Sequence, residues 1–306
     1  MVENYGLPYT GSKSRIAHWV IDHLPRGRVL IDAFAGGCAI THRALLSQKW
    51  QTVVANDING KYIQLFADAV RGKYKDEKLW ISREDFERLK AKDAFVACCW
   101  SFGNNLKGYM YSQGIEPYKR ALHYAIVLDD FAPMQELMPE VAQAVHDAIH
   151  WIRNTHDRRI TAQKVIVKTL KRLTDDNYAH QIIQSNPLYK TIRHTSSNTP
   201  ILQSLERLLV TALSYDEIDI PADAVVYCDP PYNACGKGLY EGAATAFDHN
   251  AFYDWCVRVS KTNPIFISEY SIEDDRFEVV AEKQKITTMS SVKSFNVTER
   301  IYTVKK

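Results

Sequence analysis

The sequence lacks the features that mark secreted, membrane-spanning and metal-binding proteins. None of its apolar runs approaches the roughly 20 residues needed to cross a bilayer, and it starts without a charged-then-apolar signal pattern. The six cysteines show neither Cys-x-x-Cys spacing nor a companion set of histidines, so neither a zinc site nor a disulfide framework is indicated. We therefore expect a cytoplasmic protein with reduced cysteines and no bound metal.

An excess of one charge sign is also absent overall, since the net charge of the 306 residues is only +2. The distribution is nevertheless uneven. Residues 151–200 contain nine Lys and Arg against three Asp, a net charge of +6, which leaves −4 for the rest of the chain. A basic segment on a slightly acidic body is typical of nucleic-acid-binding proteins, although a solvated helical face gives the same count.

The composition, 46% hydrophobic and 24% charged, indicates a folded globular protein that is long enough for two domains. Near-continuous apolar runs predict buried parallel strands, and more alternating runs near the carboxyl terminus predict strands at the sheet edge. Helix-like stretches follow the first two runs, so the predicted fold class is an α/β doubly wound sheet. The predicted strands are residues 28–34, 52–56, 224–228, 264–268, 277–287 and 296–304.

The middle of the chain, residues 73–199, has a different pattern and predicts a mainly helical insertion. In its longest predicted helix, apolar residues recur every three to four positions, which indicates one buried face. We therefore predict one domain from residues 1–72 and 200–306, interrupted by a helical domain at residues 73–199. The helices predicted inside the insertion are residues 83–92, 134–154 and 160–173.

The sharpest chemical feature is Asp229-Pro230-Pro231-Tyr232, which directly follows a predicted central strand. Open α/β sheets bind ligands at the carboxyl ends of their strands. An aromatic amine is a poor nucleophile, and methylating it needs acceptors that hold both amine hydrogens. Asp229 can supply one acceptor and a carbonyl held by the rigid prolines a second, while Tyr232 can stack on a base. A simple turn at the end of a strand is the alternative interpretation.

A second polar constellation follows the first two predicted strands. Residues 32–37 include the pair Gly36-Gly37, and glycines let a backbone approach a cofactor closely. Asn56-Asp57 ends the next strand, where a carboxylate can accept hydrogen bonds from both hydroxyls of a ribose. The glycine spacing differs from Gly-x-Gly-x-x-Gly, which disfavours a pyrophosphate-binding turn. An ordinary glycine-containing turn is the alternative.

Together these motifs resemble the Dam-type, alpha-ordered family of DNA adenine-N6 methyltransferases, and the resemblance covers nearly the whole chain. Tyr9-Thr10-Gly11-Ser12-Lys13 resembles the amino-terminal aromatic-x-Gly-Gly-Lys motif of the family, with Ser12 in place of a glycine. Residues 213–216 resemble a further cofactor motif. The resemblance implies a Rossmann-like class I methyltransferase fold. It also implies transfer of a methyl group from S-adenosylmethionine to N6 of an adenine flipped out of double-stranded DNA.

The resemblance further implies roles for individual residues of this chain. The implied catalytic residues are Asp229, Pro230, Pro231 and Tyr232. The implied cofactor residues are Tyr9 and Lys13 near the methionine end, Asp32, Phe34, Gly36 and Gly37 in the first motif, Asp57 at the ribose, and Asp216 at the cofactor adenine.

The insertion is implied to be the target-recognition domain, in agreement with its basic character. Residues 101–109 combine aromatic, amide and basic side chains, which suits phosphate and base-edge contacts, although a packed glycine-containing loop is the alternative. The DNA contacts predicted in this loop are Asn104, Asn105 and Lys107. The phosphate contacts predicted further along are Arg158, Arg159, Lys164, Lys168, Lys171 and Arg172.

Several alternatives stay open at this stage. The acceptor could be the amine of cytosine, an RNA base or a protein glutamine, and a catalytically silent DNA-binding protein is a rival from another class. The Asp at position 229 and the motif order favour adenine in DNA, and intact Lys13, Asp57 and Asp229 argue against a silent protein. Residues 298–300 resemble a terminal motif of phage-type members, which implies a bacterial or phage-infected cell. Solitary, restriction-associated and phage-borne roles stay open, as does the recognition sequence, for which many relatives use GATC.

Overall fold

The computed structural model describes residues 5–9, 11–74, 76–173, 199–232, 247–290 and 293–306. The chain divides into two compact units. We call residues 1–74 with 191–306 the sheet unit, and residues 75–190 the helical unit. The predicted insertion of residues 73–199 is somewhat longer than the helical unit, and the functions assigned to the two parts stay predictions.

The sheet unit contains a seven-stranded sheet with the strand order β3-β2-β1-β4-β5-β7-β6. The first five strands run parallel to their neighbours, whereas β7 is antiparallel to both β5 and β6. The predicted α/β doubly wound sheet is therefore confirmed, with an antiparallel edge. The strands are β1 Gly27–Asp32, β2 Trp50–Asn56, β3 Leu208–Thr211, β4 Val225–Cys228, β5 Ile265–Glu269, β6 Phe277–Ser290 and β7 Lys293–Val304.

Each of the six predicted strands is present with shifted ends, but the prediction missed β3. This strand has only four residues and lies at the edge of the sheet, where Leu209 and Val210 are exposed. An edge strand of this length has neither the alternation nor the long apolar run by which strands are recognised. The parallel pairing of β3 with β2 extends the sheet on the side opposite β6.

The central strands are apolar because both of their faces are covered. All four residues of β4 are buried, as expected for a parallel strand packed on both sides. One face of the sheet packs against the helix His249–Val259, in a core that contains Ile31, Val226 and Phe252. Burying a side chain such as Phe252 completely stabilises the fold by roughly 1.5–3 kcal/mol. The remaining described helices of this unit are Ala17–His23, Ala39–Ser47, Lys61–Val70 and Thr199–Ser204.

The helical unit corrects one sequence prediction. Residues 134–154 do not form a single helix, because the chain breaks at Met138, whose φ is −149° and ψ 65°, and a new helix begins at Pro139. A proline disfavours helical backbone at the residue before it, so the helix has to end there. Of the predicted buried stripe, Val141, Val145 and Ile149 are buried and Ile152 is partly buried, whereas Leu137 is 41% exposed. The described helices of this unit are Arg83–Leu89, Ala94–Cys99, Glu116–His123, Ala132–Leu137, Pro139–Ile149 and Thr155–Leu173.

The helices show no sign of a membrane-spanning segment: among the described residues, none is long and apolar enough for that purpose. The cysteines in the described ranges are free and buried, and Cys235 lies outside those ranges. The described residues also contain no group of three or more His, Cys, Asp or Glu side chains placed to hold a metal ion.

Candidate active site

The predicted motifs of the sheet unit meet at the carboxyl edge of its parallel strands. Asp32 ends β1 and is in register with Ala55 of β2 and Tyr227 of β4. Asp57 and Asp229 are the residues that directly follow β2 and β4. The parallel register thus brings together motifs that are far apart in the sequence, at the edge where such sheets bind ligands.

A buried cluster of charges surrounds Asp229. The ammonium Nζ of Lys13 lies 2.6 Å from Oδ1 of Asp229 and 3.8 Å from Oε1 of Glu299. The same ammonium lies 4.5 Å from the centroid of the Tyr232 ring, and the Tyr232 hydroxyl donates a hydrogen bond to Glu299. Lys13 is 6% exposed and Glu299 0%, whereas 18% of the Asp229 side chain is exposed. We call these four residues the lysine cluster.

The protonation of the lysine cluster follows from its burial and charges. Burial by itself would lower the pKa of Lys13, but the nearby carboxylates of Asp229 and Glu299 outweigh it and the pKa is raised. Lys13 therefore keeps its positive charge. Burial, reinforced by the charges of Asp229 and Glu299, raises the pKa of Tyr232 well above its ordinary value of 10.0. Tyr232 thus stays a hydroxyl donor, and its hydrogen bond points to Glu299.

The Asp229 motif is also contacted by His249, a residue that sequence reasoning missed. Nε2 of His249 lies 2.9 Å from the carbonyl oxygen of Pro231, and since a carbonyl can only accept, the imidazole donates. His249 begins a helix 18 residues after Pro231 in the sequence, so no short motif contains both residues. The Tyr232 ring is buried and lies edge-on to Tyr270, with ring centroids 4.5 Å apart. Stacking of a base on Tyr232 therefore requires these contacts to rearrange.

The glycine turn after β1 lies close to the Tyr9 segment. A Cβ atom at Gly37 would lie 2.6 Å from Cβ of Tyr9, and Gly36 has a φ of +47°, so both positions require glycine. The amide of Gly36 donates to Asp57 at 3.0 Å, and the amide of Asn59 donates to its other oxygen at 2.8 Å. These bonds fix the Asp57 carboxylate, which is partly exposed, at the carboxyl end of β2.

The aromatic rings packed around Phe34, which we call the aromatic wall, lie beside this turn. Phe34 stacks on Tyr215 with ring centroids 5.7 Å apart and an interplanar angle of 29°, and Phe247 and Phe252 contact its edges. Tyr215 belongs to the motif of residues 213–216, for which the resemblance implies a cofactor contact only at Asp216. Asp216 itself is exposed and accepts a hydrogen bond from the Ser214 hydroxyl. Flat aromatic surfaces of this kind suit a purine ring.

Asp32 occupies a different position from the one expected of a cofactor ligand. Its side chain is 1% exposed, and its Oδ2 accepts hydrogen bonds from the amide of Thr41 at 3.1 Å and the hydroxyl of Thr41 at 2.6 Å. Burial raises the pKa of this carboxyl from 3.8 to about 7. A side chain without exposed surface has no room to contact a cofactor, so Asp32 instead ties the end of β1 to the helix Ala39–Ser47 through Thr41. Glu269, at the end of β5, is similarly buried and accepts from the amide of Tyr270.

In the helical unit, the amides predicted for DNA contact shape their own loop. The side chain of Asn104 donates to the carbonyl of Cys98 at 3.0 Å, and Oδ1 of Asn105 accepts from the amides of Lys107 and Gly108. Lys107 is exposed. Phe102, which the prediction did not single out, is 67% exposed in the same loop. The loop therefore presents Lys107, Phe102 and Asn105 to solvent, while the side chain of Asn104 and Oδ1 of Asn105 bond within the loop.

The phosphate contacts predicted on the basic helix Thr155–Leu173 differ in their exposure to solvent. Arg158 is 8% exposed and donates to Asp129 and to the carbonyl of Ala125, so its charge is used inside the helical unit. The prediction of a phosphate contact at Arg158 is corrected for this reason, and Arg159 is partly buried. Lys164 and Lys168 are exposed. The side chains of Lys171 and Arg172 lie outside the described ones.

Comparison with known proteins shows that part of the chain matches one family model. A family model for D12 class N6 adenine-specific DNA methyltransferases matches residues 9–130. The matched range starts at Tyr9, includes the glycine turn and Asp57, and ends within the helical unit. No curated protein matches the chain.

Proposed function

We propose, on the premise that this chain is a D12 class N6 adenine-specific DNA methyltransferase, that S-adenosylmethionine donates the methyl group and that Asp229 holds the receiving amine. The observation that carries this proposal is the ion pair of 2.6 Å between Lys13 and Asp229 at the carboxyl end of β4. A carboxylate paired with a lysine stays ionised, and an ionised carboxylate is a pure acceptor. That is the property needed to hold an amine hydrogen.

The sheet unit offers features that fit S-adenosylmethionine. The turn after β1 leaves no space for a Cβ at Gly37, and Gly36, which is partly exposed, has a φ of +47° that favours glycine. Asp57, held by two backbone amides, is proposed to accept the ribose hydroxyls, and the wall of Phe34 and Tyr215 to contact the adenine ring. Tyr9, Lys13 and Asp216 complete the proposed set. When bound, the cofactor supplies an electrophilic methyl group on a positively charged sulfur.

The protein side of the reaction follows from the geometry of the Asp229 motif. Asp229 accepts one amine hydrogen and the Pro230 carbonyl a second, which directs the nitrogen lone pair toward the methyl carbon. When bound, S-adenosylmethionine would supply a methyl group that leaves its sulfur for the amine nitrogen, and the methylated amine would then lose one proton to water. The prolines fix the backbone of this segment, and His249 holds the next carbonyl at 2.9 Å. The target base has to leave the helix stack first, which costs a few kcal/mol.

The test of this assignment compares the wild type with Asp229→Ala and Asp229→Asn in a methylation-free host. Long-read sequencing of the host DNA reports modified adenines and their sequence context together. We expect a single modified motif with the wild type and none with Asp229→Ala, while calorimetry shows that both bind S-adenosylmethionine. Near-normal adenine methylation by Asp229→Ala would overturn the role of Asp229, and modified cytosine in place of adenine would contradict the acceptor.

The helical unit is proposed to bind the DNA through exposed cations, with Lys107, Lys164 and Lys168 as the contacts that the described surface supports. Changing both Lys164 and Lys168 to Gln should weaken binding of unrelated duplexes equally. If each contacts one phosphate, the slope of log affinity against log salt falls by about 1.8. The matched control removes two exposed charges, Arg26 and Arg28, near the amino end of β1. An unchanged slope, or an equal change in the control, would contradict the proposed contacts.

A further inference from the structure

Glu299 lies in the interior of the candidate active site without a role in the reaction described above. It lies on β7 with none of its side chain exposed and accepts a hydrogen bond from the Tyr232 hydroxyl. Its Oε1 lies 3.8 Å from the ammonium of Lys13. It also lies outside residues 9–130, the range that matches the family. Its neighbour on the strand, Arg300, pairs with Glu282 at 3.2 Å at the sheet surface. The alternation along β7 therefore directs Glu299, unlike Arg300, into the lysine cluster.

A buried carboxylate in this position needs a physical explanation, because removing a charge from water is costly unless it is paired. Lys13 is shared between two carboxylates, and the shorter contact, 2.6 Å, goes to Asp229. One ammonium and two carboxylates leave the lysine cluster with one net negative charge. If Lys13 paired with Asp229 alone, the cluster would be neutral.

A net negative charge matches the charge distribution of the proposed reaction. The methyl donor brings a positive sulfur, and positive charge passes to the adenine amine as the methyl group moves. Charges fixed in a buried site interact more strongly than charges in water, since less solvent screens them. A neutral cluster would hold the amine hydrogen through Asp229 but would give less electrostatic stabilisation to a cationic donor.

We propose that Glu299 is a positioning residue that anchors Lys13 and Tyr232 and supplies the net negative charge by which the site favours a cationic methyl donor. The hydrogen bond from Tyr232 fixes the last residue of the Asp229 motif to β7. The second ion pair keeps Lys13 beside Asp229 without making Asp229 its sole partner. This inference rests on the proposed use of S-adenosylmethionine.

The experiment measures binding, by calorimetry, of S-adenosylmethionine and of S-adenosylhomocysteine, whose sulfur is uncharged. Glu299→Gln keeps the size of the side chain and an acceptor for Tyr232, but removes the charge. We expect the preference for the cationic ligand over the neutral one to fall about tenfold in this variant. The control is Glu282→Gln, which removes an exposed carboxylate from the neighbouring strand and should leave the preference unchanged.

A second variant separates the charge of Glu299 from the loss of its native side chain. Glu299→Asp shortens the side chain but keeps the carboxylate, so the net charge of the lysine cluster equals that of the wild type. We expect Glu299→Asp to show the wild-type preference between the two ligands. An unchanged preference in Glu299→Gln, or an equally lowered one in Glu299→Asp, would overturn the role of Glu299. Failure of the wild type to bind either ligand would instead overturn the proposed cofactor.

Discussion

Replacing Asp32 with Asn is expected to remove a pH dependence from the stability of the sheet unit. The carboxyl is 1% exposed at the end of β1 and is bonded to Thr41, with burial as the main cause that raises its pKa from 3.8 to about 7. The charges of Asp229 and Asp57 raise it further, whereas the bonds from Thr41 oppose the shift. In the folded protein the carboxyl therefore becomes ionised only near neutral pH.

The sign and size of the effect follow from the two pKa values. The unfolded chain loses the Asp32 proton near pH 3.8 and the folded chain near pH 7, so folding takes up a proton between these values. The free energy of unfolding consequently falls as the pH rises through this window and levels off above it. The whole loss is about 4 kcal/mol, of which about 3 kcal/mol lies between about pH 5 and pH 8. Because an Asn side chain does not ionise, Asp32→Asn lacks this pH-dependent contribution to the free energy of unfolding.

The assay is urea unfolding of the wild type and Asp32→Asn at a series of pH values. Hydrogen exchange of peptides from β1 and β4 is read in parallel, because it reports the sheet unit specifically. The difference in stability, variant minus wild type, should grow by about 3 kcal/mol from about pH 5 to pH 8. Asp219→Asn, at an exposed position of the same unit, serves as the control and should show no such trend. A constant difference for Asp32→Asn would refute the reasoning.

Two further predictions concern the geometry of the site. Gly37→Ala places a Cβ where it would lie 2.6 Å from Cβ of Tyr9. We expect the free energy of unfolding to fall by about 1–3 kcal/mol and cofactor binding to weaken. A melting temperature and a cofactor affinity equal to those of the wild type would contradict this. His249→Ala removes the donor to the Pro231 carbonyl and should lower kcat about two- to tenfold with a smaller change in KM. His249→Gln, whose amide can donate to the same carbonyl, should recover part of the loss; equal activity of both variants would argue against this positioning.

Much of the fold could be predicted because it depends on local patterns. Buried parallel strands need continuous apolar runs, so β1, β2, β4 and β5 were visible in the sequence at nearly their observed positions. β3 was not, since four half-exposed residues at a sheet edge carry little pattern. The break at Met138 had a local signal in Pro139, but the apolar periodicity continues across it and suggested a single helix.

The residues of the candidate site were predictable as motifs but not as a cluster. Asp229, Lys13 and Asp57 each stand in a recognisable local context, whereas the contact between Lys13 and Asp229 joins residues 216 positions apart. His249 carries no local signal for its contact with Pro231. Glu299 lies within the terminal motif of residues 298–300, but that motif gives no signal for its contact with Tyr232. These pairings depend on strand order and register, which bring distant segments to one edge of the sheet.

The sequence by itself determined where apolar periodicity builds strands and helices, where glycines and prolines end them, and which motifs carry chemical groups. The tertiary structure alone decided which of those groups are buried and which charges they meet. Arg158 and Lys164 lie on the same helix, yet Arg158 is buried and paired with Asp129, whereas Lys164 faces solvent. The physical reason is that desolvation and Coulomb interactions depend on the neighbours of a side chain in space, and those neighbours come from every part of the chain.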